Sequence, residues 1–245
     1  MCIPFDSIHG KCFDLTRRST QLLVLSWITV GLVWLVHLGT PCTLYSIATR
    51  HRPDRSSTSI SMECTRFTAE VITACHRHGV TYTLENPKTL RLFAVPCVRD
   101  ALTATNAFMV EFDCCRYGCT YRKPTLLATN ECRFQQLSRL CTCNSPHEIL
   151  RGKVKIPIGL DKTRWYWKTT LAGQYAAELC QVWARVVSGL SPKSALRVSG
   201  EDRLSSFWQH EVSKVSGHRC PRLSMPPCPT QTSSPWKDKL DEWGC

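Results

Sequence analysis

The sequence predicts an α/β domain over residues 1–189, followed by a Ser/Pro-rich tail over 190–245. Three observations carry this expectation. A helical stretch, a glycine and a short apolar strand occur in that order twice in the first 84 residues. Two further β-rich runs follow, at 107–114 and 125–129. Helices alternating with strands imply crossover connections and a mainly parallel sheet.

The first helix is expected to be capped by Ser19 or Thr20 and ended by Gly31, leading into a buried strand over Leu32–Leu38. The second is marked by Cys64, Phe67, Val71, Ala74 and Cys75 at helical spacing. Its basic last turn, His76-Arg77-His78, and Gly79 close it before the strand Val80–Leu84. Phe108, Val110 and Phe112 alternate in the third strand run, and Thr125–Thr129 forms the fourth. Beyond residue 130 the reading is a short helix over Cys132–Leu140, a hairpin over Lys153–Trp167 and a helix over Ala172–Ser188. That last helix would bury Leu179, Cys180, Trp183 and Val187 and stop at Gly189. Trp165 and Trp167 fall on one face of the hairpin, where packing or hairpin stabilisation is expected rather than base stacking. The tail is read as poorly ordered, with one short helix around Ser205–Val215.

The 245 residues suffice for one sizeable core or two small ones. Lys and Arg number 31 against 19 Asp and Glu, a net charge of +12, and only +2 of it falls in residues 190–245. The basic excess thus belongs to the part expected to fold, and it suits a phosphate-bearing partner. Sixteen cysteines would fit a secreted disulfide scaffold. The amino terminus contains acidic residues and no compact cationic start, so it does not read as a cleaved signal, and there is no CxxC pair for a zinc module. Cys132, Cys141, Cys143 and His147 are zinc-ligand types at no standard spacing, so no metal is assigned. The cysteines are read as reduced, mostly buried thiols of a nuclear or cytoplasmic protein. Leu22–Val36 is apolar, but its 15 residues fall short of the roughly 20 that span a bilayer. A small membrane-anchored protein held by residues 22–36 is the least favoured reading.

Ligands of parallel α/β sheets gather at the carboxyl ends of the strands. Three polar motifs are expected there: Gly39-Thr40-Pro41-Cys42 with Tyr45-Ser46, Glu85-Asn86-Pro87, and Tyr117-Gly118 with Arg122-Lys123-Pro124-Thr125. A thiol, a carboxylate and a guanidinium would share one edge.

In their order and residue types these motifs resemble the nucleophile loop, the Glu-Asn step and the Tyr-Gly…Arg segment of DNA cytosine-5 methyltransferases. Ala172-Gly173-Gln174-Tyr175 is similar to their late Gly-Asn segment, and Phe13-Asp14-Leu15-Thr16 to their Asp-Ile step. The resemblance covers about residues 13–188 and is nearest to degenerate domains of mobile-element polyproteins. It implies an incomplete Rossmann-like, S-adenosylmethionine-dependent fold, amino-terminally truncated, since the Gly-rich cofactor turn has no counterpart before Asp14. By that resemblance, Cys42 as thiolate would add to carbon 6 of a flipped cytosine, Glu85 would hold the base edge and Arg122 would orient it. Asp14, Gly173 and Gln174 would contact S-adenosylmethionine. Arg50, Arg52, Arg55 and Lys123 would meet the DNA backbone. The implied function is a relic or partial methyltransferase. The alternative is a non-catalytic nucleic-acid-binding module of the same mobile-element origin.

Overall fold

The computed structural model describes residues 5–6, 10–41, 55–89, 91–158 and 162–190. The expected tail beyond residue 190 therefore lies outside the described residues, as do Cys42, Arg50 and Arg52. The described elements are α1 (Arg18–Thr29), β1 (Leu35–Leu38), α2 (Arg55–Arg77), β2 (Thr81–Pro87), α3 (Pro96–Ala104), β3 (Phe108–Asp113) and β4 (Pro124–Thr129). After them come β5 (Lys153–Pro157), β6 (Thr163–Trp167), α4 (Lys168–Leu171) and α5 (Ala177–Ser188).

The molecule is α/β, but its four-stranded sheet is mixed, in the order β1-β2-β4-β3. β1 and β2 pair in parallel across the α2 crossover. β4 pairs antiparallel with both β2 and β3. The expectation of a mainly parallel sheet is corrected at this point, and chain length explains why. Between β3 and β4 the chain has only a 3-10 turn, Cys114–Tyr117, and a short link. A parallel return needs a dozen or more residues, whereas a short link returns the chain antiparallel. β1, β2 and β3 still run in one direction, so their carboxyl ends and the start of β4 share one edge.

Strand alternation sends neighbouring residues to opposite faces of the sheet. Tyr82 and Leu84 of β2 face α1, α2 and α3, packing with Ile28, Phe67, Val71, Ile72, Val98 and Leu102. On the other face Val110, Phe112 and Leu127 pack with Tyr117, Phe134, Leu137 and the α5 residues Leu179, Val182 and Val186. Each fully buried side chain of this size contributes roughly 1.5–3 kcal/mol. The helical layer on each face hides one stripe of apolar residues, so both layers are needed to close the core.

Several boundaries shift from expectation. α1 begins at Arg18 with no side-chain cap, and β1 starts at Leu35 rather than Leu32. α5 begins at Ala177, and Cys180 is exposed, because its buried stripe runs through Leu179, Val182 and Val186. β5 and β6 form the expected hairpin. Trp165 and Trp167, however, stand exposed on it at 61% and 56%, not packed against the core. The ten cysteines whose surroundings are described are all free thiols. Among the described residues no helix is long and apolar enough to cross a membrane, and α1 has only 12 residues.

Candidate functional site

The edge where β1, β2 and β3 end collects most of the polar groups foreseen above. Glu85 and Asn86 sit on β2 and, by alternation, point to opposite faces. The Asn86 amide Nδ2 donates to the Thr40 carbonyl at 3.0 Å, and the Thr40 hydroxyl lies 2.7 Å from that of Thr68 on α2. Asn86 thereby fixes the chain as it leaves β1, two residues before Cys42. Its Oδ1 is buried without a hydrogen-bond partner among the described residues.

Glu85 points to the α5 side and is only 8% exposed. The Tyr175 hydroxyl donates to its Oε2 at 3.0 Å, while Oε1 is buried with no hydrogen-bond partner among the described residues. His37 Nε2 lies 3.1 Å from the same hydroxyl, and His37 Nδ1 lies 2.9 Å from the Thr83 hydroxyl. With the Tyr175 proton committed to Glu85, Nε2 must carry the imidazole proton and Nδ1 must accept from Thr83. Burial, and then the Glu85 carboxylate, raise the Tyr175 pKa above its ordinary value. His37 stacks edge-on against Trp183 at 5.0 Å and Tyr175 at 5.9 Å. The surrounding protein lowers the imidazole pKa from 6.5 to about 4, although part of the ring remains open to water.

Arg122 stands at this edge paired with an acid. Its Nε donates to Asp113 Oδ1 at 2.9 Å, and Asp113 is fully buried at the end of β3. The guanidinium is drawn to that carboxylate, whose hydrogen bond and charge raise its pKa. Arg122 is therefore positioned on Asp113, and no contact between it and Glu85 accompanies this pairing. Lys123 Nζ donates to the Ala172 carbonyl at 3.3 Å, tying the start of β4 to the turn that holds Gly173 and Gln174. Both of those residues are exposed, and it is the next one, Tyr175, that reaches Glu85. Asp14 is spent locally, with its Oδ1 accepting from the Thr16 amide at 2.9 Å and the Thr16 hydroxyl at 2.7 Å. Arg55 opens α2.

His37, Tyr175 and Asp113 were not foreseen as site residues. His37 carried a signal, a polar side chain between Val36 and Leu38 on the strand face that Thr83 and Glu85 share. Tyr175 closed a quoted motif, in which only Gly173 and Gln174 were given a role. Asp113 carried none beyond its place at a strand end. Comparison with protein-family models, with curated proteins and with solved structures finds no match for this chain.

Proposed function

We propose that this sheet edge is a degenerate cytosine-5 methyltransferase-like site that engages a DNA base. The observation that carries the reading is Glu85, a nearly buried carboxylate with Oε2 held by Tyr175 and Oε1 without a donor among the described residues. Leaving a buried acceptor unsatisfied costs about 1–3 kcal/mol, so such an atom in a strand-end position fits a ligand that brings a donor. The amine edge of an extruded cytosine has that chemistry. Asn86 supports the reading by fixing the turn that leads to Cys42. S-adenosylmethionine would supply the methyl group in such a reaction.

The pairing of Arg122 with Asp113 favours one second reading: a base-binding module that no longer transfers methyl groups. One experiment separates the two. Duplex DNA containing 5-fluorocytosine is incubated with the full chain, with and without S-adenosylmethionine, and analysed under denaturing conditions. A covalent adduct that needs the cofactor and disappears in Cys42→Ser supports methyl transfer. Binding that weakens in Glu85→Gln without any adduct supports the base-binding module. DNA binding indifferent to Glu85→Gln, with no adduct, sinks both.

A further inference from the structure

Away from Glu85, on the far side of Asp113, a second grouping of chemistry-bearing side chains stands together. Cys115, on the 3-10 turn after β3, meets Cys141, Cys143 and His147 of the loop that follows the Cys132–Leu137 3-10 helix. The ligand atoms of all four lie within 4.8 Å of one another. The Cys141 Sγ to His147 Nε2 distance is 3.5 Å. A tetrahedral zinc ion with Zn–S near 2.3 Å and Zn–N near 2.0 Å places its sulfur and nitrogen ligands about 3.5 Å apart, and its sulfurs about 3.8 Å apart. The described geometry is therefore close to a zinc coordination shell.

The scaffold around the four holds them independently of any ion. Asp113 Oδ2 accepts from the Cys141 amide at 2.8 Å, while Oδ1 is held by Arg122. Arg116, next to Cys115, donates to the hydroxyl of Thr142 between Cys141 and Cys143 at 2.8 Å. Glu148, next to His147, takes a hydrogen bond from the Thr120 hydroxyl at 2.8 Å and donates its amide to the Thr120 carbonyl at 2.9 Å. Both segments are thus stitched together beside every ligand. Three thiolates and a neutral imidazole around a dication leave one negative charge, and Arg122 and Arg116 flank it.

We propose that Cys115, Cys141, Cys143 and His147 bind one zinc ion in a closed, four-protein-ligand structural site. Binding releases the three thiol protons to solvent, and the imidazole donates its Nε2 lone pair. Four protein ligands leave no open position, so the ion locks structure and does not activate water. It pins the loop over residues 138–148 to the end of β3, and through Asp113 it steadies Arg122.

This set differs from the one visible in the sequence by a single member, Cys115 for Cys132. The reversal of β4 accounts for the difference. Its carboxyl end carries Cys132 to the opposite edge of the sheet, where the Cys132 Sγ lies 3.8 Å from Glu131 Oε1. The chain then returns along β3, with the Asp113 amide donating to the Arg139 carbonyl at 3.0 Å, and delivers Cys141 beside Cys115.

The test uses the full chain, purified under reducing conditions, with zinc and cobalt(II) as probes. The expected result is one metal per chain by elemental analysis. Cobalt should show the intense visible bands of a tetrahedral site and a thiolate charge-transfer band. Cys143→Ser and His147→Ala should each lose affinity by at least about tenfold, whereas Cys132→Ser should bind as the parent does. Should those variants fail to fold, Cys143→His keeps a ligand in place and should retain one cobalt with a weaker charge-transfer band. No stoichiometric metal, an octahedral cobalt spectrum, or undiminished binding in Cys143→Ser and His147→Ala overturns the proposal. So does a disulfide among the three cysteines in zinc-supplied protein isolated without reductant.

Discussion

His37 joins the edge strand to the Glu85 carboxylate through one tyrosine hydroxyl, so its protonation state matters beyond its own position. In the fold its pKa falls to about 4, while in the unfolded chain it stays near 6.5. Between those values the unfolded chain binds more protons than the native one, so acidification from pH 6.5 toward 4 favours unfolding. The group's contribution is fully present above pH 6.5. Water at the open ring edge reduces its size, and Tyr175 and Thr83, both neutral across that window, add no opposing titration of their own. Denaturant midpoints measured at pH 7.5 and pH 5 should show a drop in the parent that shrinks in His37→Gln, whose amide can still bridge Thr83 and Tyr175. An identical drop in both proteins would remove His37 from the account. Tyr175 belongs to the same scale. It is 41% exposed yet covers an almost buried carboxylate, so it acts as the lid on Glu85. Tyr175→Phe keeps the ring but strips Glu85 of its remaining donor, and should cost about 1–3 kcal/mol in chemical denaturation.

Among the elements, the 3-10 turn Cys114–Tyr117 does the most with the fewest residues, since it reverses the chain into β4 and sets Cys115. It closes at Gly118, whose φ of 90° lies in the left-handed region that other residues enter at a cost. Nothing lies within 4 Å of a Cβ built there, so the penalty for Gly118→Ala is conformational and not steric crowding. The variant should lose about 1–2 kcal/mol, seen as a lower denaturant midpoint at unchanged slope. A variant as stable as the parent would mean that the turn relaxes without strain. What the sequence could and could not disclose divides along the same lines. Repeated helix, glycine and strand patterns located α1, α2, β1 and β2, because local periodicity and stop signals are written into consecutive residues. The direction of β4 was not, although the short link before it, without a helix, was a countable sign. Period two put Trp165 and Trp167 on one face, but only tertiary packing decides which face of a hairpin is covered. Likewise, Glu85 and Asn86 were visible as a strand-end pair, whereas the partners Tyr175 and Asp113 came from elements far away in sequence. The same holds for Cys115, whose company depends on the route of the chain around β4 and not on spacing.

For the whole molecule the deciding quantity is charge. Of the net +12, only +2 belongs to residues 190–245, so a field of about +10 surrounds the part that carries the sheet and its site. A phosphate backbone approaching that surface releases condensed counterions for each Lys or Arg it meets, and log K then falls linearly with log salt at about 0.9 per duplex phosphate contacted. Much of the acidic complement is already spent within the fold, with Glu70 held by Arg18, Glu111 by Lys88 and Glu178 by Arg139. Exposed ion pairs of that kind contribute little to stability but they do cancel cations locally. The phosphate contacts are therefore expected from cations outside such pairs, Lys153 and Lys155 beside the exposed Trp165 and Trp167 among them. Anisotropy titrations of a labelled duplex should show about six contacts as a roughly 10³-fold loss of affinity between 50 and 200 mM salt. Charge reversal at Lys153 and Lys155 should lower the slope by about two if these residues touch phosphate. A flat salt dependence would show that the basic excess serves some purpose other than holding nucleic acid, and the base-recognising role proposed for Glu85 would then have no backbone contacts to support it.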